Sequence, residues 1–162
     1  MLEQYLAPRC TPGNLDRFII RRAILQALRD SLPRFSGKLL DVGCGHGPCR
    51  TLLSEPPSRV ETYIGLDVKS DAYSTRDVEW DGFAMPFANG SVDSAIATEV
   101  LEHLARPEVL LAEIWRVLRP NGLFFFTTPF VWPLHDVPYD EYRYTPYALE
   151  RHLRNCGFEQ IE

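Results

Sequence analysis

Three glycines at alternate positions, Gly43, Gly45 and Gly47, directly follow the short apolar run 38–42 (KLLDV), and this feature constrains the chain most. An apolar run of that length reads as a buried strand, and glycines just beyond it supply a tight turn whose backbone can approach a ligand closely. Cys44 sits inside the turn, where a small side chain fits; a steric role outweighs a redox one there. A second run, 62–67 (TYIGLD), ends in an acid, Asp67, and also reads as a buried strand.

Two ligand classes use a glycine turn after a first strand. A dinucleotide site needs a third small residue three positions after the second glycine, and here that position is Pro48. Asp41, two residues before Gly43, would also gain nothing from a pyrophosphate. A ligand carrying an ammonium and a sulfonium would gain, since opposite charges ~4 Å apart attract by about 1 to 4 kcal/mol near a surface. S-adenosylmethionine is such a ligand. Asp67 is placed to accept hydrogen bonds from ribose hydroxyls, a feature that by itself suits NAD equally well.

The remaining chain alternates strand and helix signals. Residues 14–32 predict an amphipathic helix capped by Asn14, with Leu15, Phe18, Ile19, Leu25, Leu28 and Leu32 as its apolar face. Residues 78–81 predict a weak strand, and 92–98 (VDSAIAT) another after the turn at Asn89-Gly90. Helix-length segments are expected between the strands. Residues 107–118 predict a helix with Pro107 near its start, followed by the apolar strand 123–128 (LFFFTT) and a helix over 147–155. Residues 158–162 look like the start of one more strand. This alternation indicates an α/β fold with a mostly parallel, doubly wound, Rossmann-like sheet. It forms a single domain over 1–162, with an N-terminal helical segment, 1–36, and an α/β core, 37–162.

Composition excludes several classes. With 17 basic and 22 acidic side chains the formal charge is -5, too acidic for a generic nucleic-acid backbone binder, so no nucleic-acid partner is expected. No run approaches a membrane span, the first dozen residues lack a secretion layout, and the expected location is cytoplasmic. The four cysteines, Cys10, Cys44, Cys49 and Cys156, form no CxxC pair and read as free thiols.

In order along the chain, LLDVGCGHG, YIGLDV, WDGFAMPFANGSVDSAIATEVLEHL and RVLRPNGLFFFTTP resemble successive motifs of the class I S-adenosylmethionine-dependent methyltransferases, in particular the methyltransferase type 11 group. The resemblance spans about residues 38–158. It implies S-adenosyl-L-methionine as cofactor. It further implies that Asp41, Gly43, Cys44, Gly45 and Gly47 surround the methionine part, and that Asp67 and Val68 meet the ribose and adenine. Asp81, Gly82 and Phe83 would read the adenine edge, a carboxylate accepting from its amine and a backbone N–H donating to a ring nitrogen. Thr98 and Glu99 would flank the methionine, and His103 would pack near the cofactor. In resembling proteins an N-terminal helix often covers the cofactor. A nicotinamide-dependent oxidoreductase and a non-catalytic cofactor-binding regulator are the alternative readings.

Methyl transfer needs the nucleophile, methyl carbon and sulfur in line, so positioning can supply much of the catalysis and no dedicated base is obligatory. Resembling proteins carry H-x-x-P-x-D-x-x-R-Y-T runs after the fifth strand, as this chain does over 135–145, and the resemblance implies a wall of the acceptor pocket there. His135 is the first candidate base, with Tyr139, Asp140, Tyr142 and Arg143 as pocket residues around a small-molecule acceptor. Glu99, Glu102 and His103, spaced i, i+3 and i+4, would share a helix face, and together with His135 they resemble the metal-binding set of small-RNA 3′-end 2′-O-methyltransferases, a resemblance that implies carboxylates and imidazoles able to hold Mg, Mn or Zn. The EVLEHL segment is common among methyltransferases of many substrate classes, however, and no metal is expected. The family's sheet has seven strands in the order 3-2-1-4-5-7-6, and this chain stops before the last one or two. The strand over 123–128 would then be an edge, which predicts either a longer natural chain or a homodimer that covers it.

Overall fold

A computed structural model describes residues 5–69 and 75–162. Its five strands are β1 (Ser36–Val42), β2 (Arg59–Val68), β3 (Val78–Trp80), β4 (Val92–Thr98) and β5 (Leu118–Thr127), all paired in parallel in the order β3-β2-β1-β4-β5. The order reverses at β1, between β2 and β4, and opens a crevice at the carboxyl ends of the strands. Among the described residues the sheet is accompanied by helices α1 (Leu15–Ser31), the single turn α2 (Arg50–Leu53), α3 (Pro107–Val117) and α4 (Pro146–Cys156).

Alternation along the strands divides the apolar runs between two cores. Leu39, Ile96, Leu123 and Phe125 face one core with Ile24, Leu25, Leu28 and Phe35. Their neighbours Leu40, Ala95, Ala97, Phe124 and Phe126 face the other, with Leu110, Leu111, Ile114 and Val117 of α3 and Leu153 of α4. This is why LFFF reads as a continuous apolar run: each face of β5 has its own cover. No helix among the described residues is long and apolar enough to cross a membrane.

Several expectations need correction. Asn14 precedes α1, but its Oδ1 accepts from the backbone N–H and hydroxyl of Thr11, so it closes the preceding turn and does not cap the helix. Only the second half of α1 is buried in the core; Leu15 and Ile19 are 51% and 57% exposed, because that end overhangs the carboxyl edge of the sheet. The segment after β3 contains no helix: it carries Pro86 and Asn89-Gly90, and Arg116 donates to the carbonyls of Met85 and Phe87 to hold it as bends. The helix after the glycine turn is one turn long.

β5 begins five residues earlier than the apolar run suggests, because a bulge around Asn121 (φ 63°) lets Leu118 pair with Val92 before Leu123 pairs with Ser94. Gly122 permits it: a Cβ there would lie 2.9 Å from the Arg119 carbonyl oxygen. Residues 158–162 form no strand. The Phe158 ring instead packs on Phe124, centroids 5.6 Å apart, and Glu162 pairs with Arg34 at 2.7 Å.

Leu28 is fully buried between α1 and the sheet. Leu28→Ala should lower unfolding free energy by about 2–5 kcal/mol, as buried leucine truncations do. Urea denaturation checks this, and a loss below ~1 kcal/mol would mean that α1 does not share the core.

Candidate active site

The glycine turn is shaped by the ends of two strands. The N–H groups of Gly43 and Cys44 both donate to the Leu66 carbonyl, at 2.8 and 3.2 Å, folding the turn over β2. Gly43 has φ 68°, and a Cβ on it would lie 2.6 Å from Val100 Cγ2, so this approach is open to glycine alone. Gly45 (φ 52°) has open space where its Cβ would stand, and its N–H donates to Asp67 Oδ2 at 2.7 Å. Val68 N–H donates to the other oxygen of Asp67 at 2.8 Å. The end of β2 and the middle of the turn are thereby fastened to one carboxylate.

Asp41 is 2% exposed and accepts from the Tyr63 hydroxyl. Burial pushes its carboxyl up to about 7, against the lowering effect of the Tyr63 hydrogen bond. It is therefore turned into the fold, under the glycine turn. Burial likewise pushes the Cys44 thiol up to about 12, which leaves it unreactive and suits a steric role. All four cysteines are free.

Three participants escaped the sequence reading: Arg50, Tyr63 and Asp77. The Arg50 guanidinium lies 4.4 Å from the Tyr63 ring centre and 2.5 Å from Asp77 Oδ2, which also accepts from Gly65 N–H at 2.7 Å. These contacts hold Asp77 below the usual carboxylate range. Gly65 leaves room for the network, since a Cβ there would lie 2.9 Å from Cys44 Sγ.

At the ends of β2 and β3, Val68 and Phe83 are 44% and 67% exposed, apolar side chains left open beside Asp67 and Asp81. Asp81 Oδ1 accepts from Phe83 N–H at 2.8 Å and Ala84 N–H at 3.1 Å, which closes the turn through Gly82 (φ 87°) and lowers the Asp81 pKa.

On the other side of β1, β4 ends in the buried Thr98, and Glu99 adopts φ 57°, an uncommon conformation for a residue with a side chain. Thr127 holds it there, donating its hydroxyl to Glu99 Oε1 at 2.9 Å and accepting from Glu99 N–H at 3.0 Å. The expected α-helical face of Glu99, Glu102 and His103 does not form: only 101–103 is helical, as one 3-10 turn, and Glu99 precedes it. The turn nevertheless brings Glu102 and His103 to His135. Glu102 is fully buried, and burial pushes its carboxyl up to about 8.

The expected pocket residues shape the loop that carries His135. Asp140 accepts from His135 N–H at 3.0 Å and forms a two-point pair with Arg143, at 2.5 and 2.7 Å. Arg143 also donates to the Trp132 and Pro133 carbonyls, and its pair with Asp140, helped by the His135 N–H, holds that carboxyl well below the usual carboxylate range. Tyr142 donates its hydroxyl to the Ala105 carbonyl and stacks on Tyr144. Tyr139 is 67% exposed, and its carbonyl faces His103 Nδ1 at 3.2 Å.

Two open clefts lie between the first half of α1 and the segment after β5. One, of about 340 Å³, is walled by Ile19, Ile20, Ala23 and Ile24 against Glu99 and residues 127–131. The other, of about 320 Å³, lies between residues 13–17 and 132–135 and includes Arg17 and His135. Ile19, exposed on α1, therefore has a cleft to face.

Comparison with known proteins agrees with this geometry. A fatty-acid O-methyltransferase of Mycolicibacterium smegmatis is 33% identical over 111 residues, 62% of this chain and 39% of that protein. An uncharacterized methyltransferase of Mycobacterium tuberculosis is 33% identical over 140 residues, 78% of this chain and 54% of that protein. The chain thus spans about half the length, or less, of these curated relatives. The crystal structure of an S-adenosylmethionine-dependent methyltransferase from Archaeoglobus fulgidus shares the fold, with a TM-score of 0.70, 19% identity, and coverage of 99% of this chain and 73% of that one. The model of the methyltransferase domain family matches residues 40–126, more than half of the sequence, and the chain belongs to that family.

Proposed function

We propose that this chain binds S-adenosylmethionine along the glycine turn and transfers its methyl group to a small acceptor with an apolar body. The observation that carries the reading is the turn 43–47 fastened to Asp67, with an apolar cleft on the opposite side of the same strand ends. Asp67 uses one lone pair of each oxygen on backbone N–H groups, and its remaining acceptor capacity suits vicinal ribose hydroxyls. Val68 and Phe83 offer apolar surface to an adenine, and the open space over Gly45 accommodates the methionine part.

A dinucleotide fits less well. Pyrophosphate binding depends on the N–H groups and dipole of a following helix, and here that helix is a single turn whose first residue, Arg50, is committed to Asp77.

Thr98 and Glu99 stand where the methionine end would meet the acceptor cleft. The chain's own contribution to the displacement is positioning: the fastened turn fixes the donor, and the cleft walled by Ile19, Ile20 and Phe130 aligns the acceptor. Asp140 and Arg143 hold the backbone of His135, whose ring is proposed to engage the polar group of the acceptor. A relative one-third identical is named a fatty-acid O-methyltransferase, and the apolar cleft is consistent with a carboxylic acid bearing a hydrocarbon chain. Cover for the β5 edge, by further chain or by a second copy, is part of the same proposal.

Transfer of a tritiated methyl group from S-adenosylmethionine to a panel of fatty acids, apolar phenols and polar amines tests the activity. Label should pass to acceptors with apolar bodies; label passing to polar acceptors alone would overturn the acceptor assignment, and none at all in a chain that binds the cofactor would favour a regulator. Asp67→Ala should weaken cofactor affinity by about 1–3 kcal/mol by calorimetric titration, through loss of a charged acceptor. NAD should not bind, and micromolar NAD binding in place of S-adenosylmethionine would reverse the reading. Ile19→Asp, on an exposed site, should raise the KM of an apolar acceptor at least tenfold with cofactor Kd unchanged; equal KM values would mean that this cleft is not used.

A further inference from the structure

Glu102 is fully buried, yet among the described residues neither carboxylate oxygen has a hydrogen-bond partner. Burying an unsatisfied polar group is costly, and more so if it is charged, so a carboxyl held this way calls for a further partner. What faces it is two imidazoles. His103 Nε2 and His135 Nε2 lie 3.8 and 3.9 Å from the same oxygen, Oε1. Those gaps are too long for hydrogen bonds, whose N···O distances run about 2.7–3.2 Å. They are close to the ~3.4 Å that separates two ligand atoms on a four-coordinate ion with bonds near 2.1 Å.

The outer contacts of both rings fit the same purpose. The Tyr139 carbonyl, 3.2 Å from His103 Nδ1, draws the ring proton to that nitrogen and leaves the Nε2 lone pair directed at Glu102. His135 Nδ1 is 3.2 Å from Asp140 Oδ2, off the line of a good hydrogen bond, and Asp140 is itself clamped by Arg143. A carboxylate or a backbone carbonyl behind each imidazole is the usual support of a metal-binding histidine. The rings meet edge to face with centroids 4.8 Å apart, and the three ligand atoms lie within 4.8 Å of one another. Contraction of the widest separation toward the ~3.4 Å ligand spacing would bring them onto one ion.

We propose that Glu102, His103 and His135 form a site for one divalent transition-metal ion. Two imidazoles and one carboxylate suit Zn²⁺ or Mn²⁺, carry one negative charge, and leave coordination positions open. His135 also lines the cleft beside α1, so an open position there would receive an oxygen of the acceptor and favour its deprotonated form. That catalytic consequence rests on the methyl-transfer reading; the metal site itself does not. It also reverses the expectation that these residues hold no metal.

Titration of the chelator-treated chain with Zn²⁺ and with Mn²⁺, without cofactor or acceptor, tests the site independently of any methyl transfer. One ion per chain should bind, and melting temperature should rise by about 5–10 °C at a hundredfold excess over Kd. Glu102→Gln and His135→Ala should each lower metal affinity at least tenfold. Glu102→Gln should melt no lower than the metal-free parent, since the carboxyl it replaces has no partner. Co²⁺ bound to the unmodified chain should show ligand-field bands without thiolate charge-transfer bands, a reading that survives if a variant misfolds. Failure to bind one ion, less than tenfold loss in either folded variant, or thiolate bands from the cysteines would each overturn the proposal.

Discussion

The Gly45 N–H donates to the Asp67 carboxylate at 2.7 Å, and the geometry of the carboxyl edge depends on this bond. It joins the turn after β1 to the end of β2, while the N–H groups of Gly43 and Cys44 reach the Leu66 carbonyl beside it. The turn is held open over Gly45 and closed under Gly43, where Val100 leaves no room for a Cβ. Without the positive φ angles of these glycines the chain could not run over β2 and back toward Arg50. Beneath it, Asp41 and Tyr63 form a buried polar pair beside Arg50 and Asp77, so the turn rests on a satisfied network that fixes its height above the sheet.

The sheet supplies the second half of the arrangement. Because its strands are covered on both faces, α1 is held against one core by Ile24, Leu25 and Leu28, and its overhanging end is left to form a wall. The facing wall follows from β5: Thr127 locks Glu99 in its uncommon backbone conformation, and the chain continues through 129–135 along the same edge. The Asp140–Arg143 pair then folds that segment back to bring His135 against the turn at 101–103. In the proposed reading, donor side and acceptor side thus belong to neighbouring strand ends of one crevice.

Much of this was legible in the sequence because it is local. Glycines at alternate positions after KLLDV, an acid closing TYIGLD and the helical spacing over 107–118 each act within a few residues, and the strands and α3 follow from them. What was not legible depends on contacts across the chain. Arg50, Tyr63 and Asp77 sit on three elements with no common motif, and only the fold assembles them. Residues 140–143 were identifiable as a group, but whether Asp140 faces a ligand or Arg143 depends on the path of the loop. The spacing of Glu99, Glu102 and His103 suggested an α-helical face, yet Thr127 pulls Glu99 out of register, and the cluster keeps Glu102, His103 and His135 without it. Residues 158–162 read as the start of a strand, and Phe158 instead covers Phe124, because stacking on the β5 face needs no backbone pairing.

The central claim is that the glycine turn and its carboxylate are the cofactor site, and backbone amide NMR during titration with the demethylated product S-adenosylhomocysteine tests it most directly. The account predicts saturable shifts at Gly43, Gly45, Gly47, Asp67, Val68 and Phe83, with the amides of α4 unmoved. Saturable shifts confined to other residues, or none at millimolar ligand in a folded sample, would contradict it.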